Sequence, residues 1–218
     1  MSPRPRVAPQ RRQQIIEALF RLMGRRSYGQ ISVTHIAAEA GVARGAINFF
    51  FRSKAEVLQA LLDRSIAEYQ AALRPILAGP APADKQMRAI LETLLAPGAA
   101  TRRTTMVFLN YYALGPGNRE VAAALRRFFQ GYRRLFALVV RRGIRQGCYS
   151  REPDPDQAAA ILVAAVEGLL LQWVTDEKSV DTLRSIAWLE RMLGRPLRAR
   201  HSTPRPPGQD DHNDSARV

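Results

Sequence analysis

Cysteine is nearly missing from this chain of 218 residues. Cys148 stands alone, so no disulfide can close within the chain, and a reducing compartment suits it. Histidine is almost as scarce. Of the three, His201 and His212 lie close to the C-terminus, and none falls with the cysteine into the spacing of a metal site. No glycine-rich phosphate loop occurs. An enzyme is therefore not expected, nor a cofactor or a bound metal. Long apolar runs are missing too. The most apolar stretch, Ala158 to Leu171, is interrupted by Glu167 and falls short of the ~20 residues of a membrane span. No apolar run follows the first arginines as a secretory signal requires. These absences predict a soluble, cytoplasmic protein with no membrane partner. Acidic residues are few, 19 against 33 Lys and Arg, which leaves a net charge of +14 and a pI near 11.1. Such an excess favours a polyanion, either nucleic acid or an anionic membrane surface.

What is present is helical periodicity. Residues are 46% hydrophobic, enough for one sizeable domain or two small ones. Residues 1–9, rich in proline and arginine, read as a flexible basic arm. From Gln10, Ile15, Ile16, Leu19, Phe20, Leu22 and Met23 recur at helical spacing up to Gly24. Ser32 is a good N-cap for a second helix over 33–40, which Gly41 closes. A third helix covers 44–50. Ser53 then opens a fourth, with Glu56 three residues on, that runs to about Pro75. After the turn LAGPAPA, helices are predicted at 84–96, 101–114, 118–146, 155–175 and 179–193, separated by Gly and Pro clusters. No stretch alternates with a period of two, so no sheet is expected. The tail beyond 194 has the composition of a disordered segment.

The charge is uneven, with ten Arg or Lys in residues 1–54 against Glu17 and Glu39 alone. Two short helices joined by a Gly-containing turn, the second basic at its start, read as a helix-turn-helix. Helix 33–40 would brace the DNA backbone, with Ser32 and Thr34 near phosphate, while helix 44–50 enters the major groove. Arg44 can reach a guanine edge or a phosphate, and Gly45 and Ala46 keep the helix surface low. His35 reads as a satisfied surface histidine.

Ile36-Ala37, Ala40-Gly41-Val42, Gly45, the aromatic run ending in Phe51, and Ser53-Lys54 followed by Leu58 stand in the order and spacing of one family. On these residues the sequence resembles the DNA-binding domain of the TetR family of one-component regulators. The resemblance implies an all-α fold: an N-terminal three-helix helix-turn-helix domain (10–54), joined by a connecting helix (53–75) to a larger ligand-binding and dimerisation domain (55–194). It implies that Phe51 is core and that Phe49 lies along sugar and phosphate, with either fate open for Phe50; Lys54, at a helix N-terminus beside Ser53, reads as a phosphate clamp or as plain surface. The chain departs from the family pattern at Ser27, Ile31, Ala43 and Asn48. Asn48 replaces a usual tyrosine and can meet a phosphate or an adenine edge.

In the second half, Phe108, Tyr111, Tyr112, Phe128, Tyr132 and Trp173, with Glu167 and Asn110 as polar groups, suit a pocket for a small-molecule effector, although any one of these rings alone reads as ordinary core. The segment looks nearest to the choline-responsive betaine-regulator branch, and the same rings would hold a quaternary ammonium, a planar drug or an acyl chain. Arginine pairs at 126–127, 133–134 and 141–142 read as a solvated helix face. Helix 155–175 is apolar nearly all round. Ala160, Ala164 and Gly168 on it, with Leu183 and Ile186 on the last helix, are expected to form a four-helix homodimer interface. The function this predicts is a repressor released from a palindromic double-stranded DNA operator by a small-molecule effector. The alternative is an architectural DNA-binding protein without a sensor.

Overall fold

A computed structural model describes residues 7–152 and 154–194. The tail beyond 194 and the first six residues of the basic arm lie outside the described residues. Within them nine α-helices occur and no strand. α1 (Val7–Met23), α2 (Val33–Ala40) and α3 (Arg44–Phe50) form the N-terminal layer. α4 (Lys54–Ala78) leads out of it to α5 (Ala83–Leu95), α6 (Ala99–Leu114), α7 (Arg119–Arg145), α8 (Pro155–Thr175) and α9 (Thr182–Met192). The helix placed after Gln10 begins three residues earlier, at Val7, so part of the expected arm is the first turn of α1.

Local chemistry sets these boundaries. Ser32 Oγ accepts from the His35 amide at 3.1 Å, and His35 Nδ1 accepts from the Ser32 amide at 3.2 Å. His35 thus fills the place Glu or Gln takes in a capping box. Gly41 ends α2 at φ 65°, the left-handed region that only glycine enters without strain. Ser53 caps α4 through the Glu56 amide, while the Glu56 carboxylate reaches the Arg52 amide at 2.7 Å. Asn118, Asp154 and Asp181 cap α7, α8 and α9. The chain turns at Gly79 to Pro82 because proline cannot continue the ladder there.

One apolar core runs without a break from Ile15 to Leu193. In the N-terminal layer Ile15, Leu19, Ile36, Ile47 and Phe51 close around Leu58 and Leu61 of α4. α4 is therefore core to both layers at once. A second link joins them. Asn110 on α6 accepts from the Tyr28 amide at 2.7 Å and donates to the Met23 carbonyl at 3.1 Å. Asn110 was expected in the pocket. It instead ties α6 to the turn between α1 and α2.

α7 packs along α8. α8 has 21 residues, and its most apolar window has a mean hydropathy of 1.8. By length and composition alone it passes for a membrane span, contrary to the sequence expectation. Its place in the fold is that of a core helix, with Ala159, Leu162, Val163 and Val166 buried against its neighbours.

Candidate functional site

Two sites can be built from this fold: the outer face of α3 and a cavity inside the helical second layer.

On α3 the burial pattern sorts the side chains. Ile47 points into the core at 1% exposure. Arg44, Gly45, Asn48 and Phe49 are exposed, and the pairs 44/48 and 45/49 share one side at i, i+4 spacing. Ala46 is half-buried. At Gly45 nothing lies within 4 Å of where a Cβ would stand, and its φ is not in the left-handed region. Neither the backbone conformation nor a neighbouring atom of the chain requires glycine there. Phe49 is 69% exposed, edge-on to the half-buried Phe50 with ring centroids 5.0 Å apart. Phe51 is 1% exposed beneath the Arg12 guanidinium. The three phenylalanines thus occupy three different environments.

Ser32 and Thr34 stand exposed at the start of α2. The Ser32 oxygen accepts in the cap, and its proton stays available to a phosphate. Arg11, on α1, shares a recess with Ala46 and Phe49 and adds a cation that the sequence pattern did not single out. Arg21 and Arg25 do not belong to this face, because Glu39 takes both, at 2.6 and 3.0 Å. Those hydrogen bonds and charges hold the Glu39 carboxyl below its usual range.

Lys54 departs from the expected phosphate clamp. Its Nζ donates to the carbonyls of Ile31 at 2.7 Å and Tyr28 at 3.1 Å, and lies 4.0 Å from the Tyr28 ring centroid. Burial lowers its pKa. The side chain folds inward onto the two carbonyls that flank a short 3₁₀ turn, Tyr28 at its start and Ile31 just after it, and the Tyr28 carbonyl also accepts from the Ile31 amide at 3.1 Å. It staples that turn to α4.

The cavity, of about 390 Å³, lies among α4, α5, α6, α7 and α8. Phe108, Tyr112, Phe128 and Glu167 line it as the sequence predicts. Tyr111, Tyr132 and Trp173 do not. Tyr111 is wholly buried on the inner side of α6, Tyr132 sits behind Tyr69 at 5.1 Å between centroids, and Trp173 is buried away from the wall. Sequence reasoning missed Tyr69 and the threonines Thr101, Thr104 and Thr105. A tyrosine on a connecting helix, one residue beyond the Ile66-Ala67-Glu68 turn, gave no separate signal. The Tyr112 hydroxyl donates to Glu167 Oε2 at 2.7 Å. Burial raises the Glu167 carboxyl above its ordinary range, and burial with the nearby Glu167 charge pushes Tyr112 far up.

The expected dimer residues divide. Ala164 and Leu183 are exposed, and Ala160 is half-buried. Ile186 is 2% exposed, covered by its own chain rather than free for a partner. Gly168 borders the inner cavity and also the outer groove between α8 and α9. The outward apolar set consists of Ile161, Leu171, Leu183, Trp188 and Met192, each at least 43% exposed. Among the described residues no three His, Cys, Asp or Glu side chains gather as a metal site.

Comparison with known proteins agrees with both layers. Residues 15–61 match the family model of bacterial regulatory proteins of the tetR family, and residues 82–198 match the BetI-type transcriptional repressor C-terminal model. The HTH-type transcriptional regulator TtgR of Pseudomonas putida is 30% identical over 192 residues, covering 85% of this chain and 91% of that protein. A putative transcriptional regulator from Saccharomonospora viridis, solved in complex with choline, superposes with a TM-score of 0.78 at 24% identity, over 84% of this chain and 95% of that one. FadR of Bacillus subtilis, solved with stearoyl-CoA, gives a TM-score of 0.71 at 21% identity, over 84% and 98% of the two chains.

Proposed function

The chain belongs to the TetR family of DNA-binding transcriptional regulators, and we propose that it is a homodimeric repressor that leaves a palindromic operator when a small molecule fills the cavity beneath α4. The observation that carries this reading is the joint placement of Tyr69. It lies on the helix whose other end is core to the DNA-facing layer, and its ring forms part of the cavity wall. A ligand pressing on it acts on a helix that positions α2 and α3. A ligand shifts two states only by its difference in affinity between them, and a coupling of about 1–3 kcal/mol corresponds to roughly a 5- to 150-fold change in operator affinity.

In this proposal Arg44, Asn48 and Phe49 meet the DNA, with Gly45 and Ala46 allowing close seating and Ser32 and Thr34 on phosphate. Lys54 acts by holding the turn before α2, so that its contribution to DNA binding is indirect. Two recognition helices separated by one turn of DNA, about 34–36 Å, require two chains. Ala164, Ile161 and Trp188 supply the apolar face for that pairing, with the protein in the cytoplasm where operators are accessible. An architectural role without a sensor is disfavoured by the cavity itself, which packing alone would have closed.

The test is a titration of operator selected from genomic DNA, followed by gel shift at about 150 mM salt. Arg44→Ala should weaken operator binding by about 1–3 kcal/mol with little effect on random DNA. Ala164→Glu, which puts an unpaired charge on the dimer face, should yield monomer and lose cooperative binding. Normal operator binding by both variants removes this reading.

A further inference from the structure

The arginine pairs of α7 do not share one fate in the folded chain. Arg142 is half-buried and donates to Gln86 Oε1 at 2.7 Å, and Arg141 meets Asp156 at 2.6 Å. Arg126, Arg127, Arg133 and Arg134 are exposed, as is Arg145 in the last turn. Among the described residues none of these five has a carboxylate in ion-pairing reach. Arg134 only returns its Nε to the Gln130 carbonyl of its own helix, at 3.2 Å. The shortage begins in the sequence. Between Glu120 and Glu152 no acidic residue occurs, while eight arginines do.

The helix gathers this charge on one side. At about 100° per residue, the five unanswered arginines fall within an arc of roughly 120°, and Arg126 to Arg145 spans about 28 Å along the axis. Phe128, Tyr132, Phe136 and Val139 on the opposite side are buried, which fixes the arginine face outward. Like charges held so close repel one another, and an anion laid along them relieves that repulsion. The chemistry of the face narrows the anion. Its guanidinium groups match phosphate oxygens with two parallel hydrogen bonds. The aromatic rings of α7 are turned inward, buried or half-buried, so no ring stands out for the base stacking by which single strands are held. Leu138 is the one large apolar side chain exposed on this helix, too little for the apolar face of a membrane-surface helix. A duplex backbone needs neither device. α7 belongs to the second layer and packs on α4, α5, α6 and α8, so its arginines are not part of the α3 surface. We propose that this face of α7 is a second DNA-binding surface, which holds the phosphates of a duplex segment other than the operator without reading its sequence.

The experiment anchors the operator on beads, loads the full chain onto it at about 50 mM salt, and titrates in a labelled duplex of unrelated sequence. Wild type should capture the label, and capture should fall steeply toward about 200 mM salt. Arg133→Gln with Arg134→Gln should weaken capture at least about fivefold. Adding Arg126→Gln and Arg127→Gln should weaken it at least about tenfold and flatten the salt dependence. Arg74→Gln with Arg151→Gln takes the same charge as the first pair from exposed positions outside α7 and should leave capture nearly unchanged. Retained loading on the operator shows that each variant is folded. No capture by wild type, equal capture by the fourfold variant, or an equal loss in the control pair overturns the proposal. Binding of phosphatidylglycerol vesicles in preference to the duplex overturns it as well. Arg44→Ala separates this surface from the reading of α3. It should lose the operator and still hold the unrelated duplex in solution, with that hold lost when the four α7 substitutions are added.

Discussion

In the DNA-facing layer polar groups find partners within a few residues: Ser32 with His35, Arg21 and Arg25 with Glu39, Lys54 with the carbonyls of Tyr28 and Ile31. Between α4, α6 and α7 the pattern reverses. The hydroxyls of Ser65, Tyr69, Tyr111 and Tyr132 are buried with no partner in hydrogen-bonding geometry. Both regions share one continuous core, so the difference is not one of folding competence. The first region is finished to a single shape, as a surface that must match the fixed pitch of DNA requires. The second keeps an open volume, and of these four hydroxyl residues only Tyr69 belongs to its wall.

The largest expected effect breaks this contrast directly. Phe51→Ala removes a ring that is 1% exposed and enclosed on all sides, and should cost about 3–5 kcal/mol of stability in denaturant unfolding. Phe128→Ala removes a ring of the same size from a site already bordering empty space. It has fewer contacts to lose on that side, so its cost should fall below that of Phe51→Ala. Equal costs would mean that the cavity is collapsed in solution and that the two regions are packed alike.

A smaller effect sharpens the link between the regions. Asn110→Ala leaves the Tyr28 amide without its acceptor and the Met23 carbonyl without a side-chain donor. A loss of about 1–3 kcal/mol is expected, and hydrogen exchange at the Tyr28 amide should quicken more than exchange in the middle of α7. Unchanged exchange at Tyr28 would leave α4 as the one route between cavity and DNA.

Much of this was legible beforehand. α2 and α3 have the predicted boundaries because a capping serine, a turn glycine and short apolar spacing act over three or four residues. What failed depends on direction in space. Leu183 and Ile186 lie three residues apart on α9 and are both expected at the dimer interface, yet they are 71% and 2% exposed. The inner stripe is Ile186, Leu189 and Leu193, while Trp188 and Met192 share an outer side and Leu183 stands exposed apart from them. Likewise Tyr111 and Tyr112 are consecutive, about 100° apart around α6, and only Tyr112 reaches the cavity. Periodicity shows that a ring is sheltered. It does not show which sheltered side holds a void. Lys54 failed for another reason: a lysine at a helix start beside serine has the same pattern whether it faces phosphate or a neighbouring carbonyl.

The smallest expected effect has the most diagnostic sign. Burial raises the Glu167 carboxyl above 4.5 in the folded protein. A group whose folded pKa is raised contributes stability that is fully present below the unfolded value and is lost as pH rises through the folded one. Wild-type protein without ligand therefore loses this contribution on the way from acid to neutral pH, as the carboxylate ionises in a poorly solvated place. Glu167→Gln has nothing to ionise there. The two proteins should be closest in stability near pH 4.5, and above it the variant should gain on wild type until the carboxyl is fully ionised. Denaturant titrations at pH 5 and pH 8 measure the gap. A residue kept for stability alone would show the reverse order at pH 8, with the glutamine variant the weaker protein. A gap that opens in favour of glutamine identifies a charge held at a cost to folding.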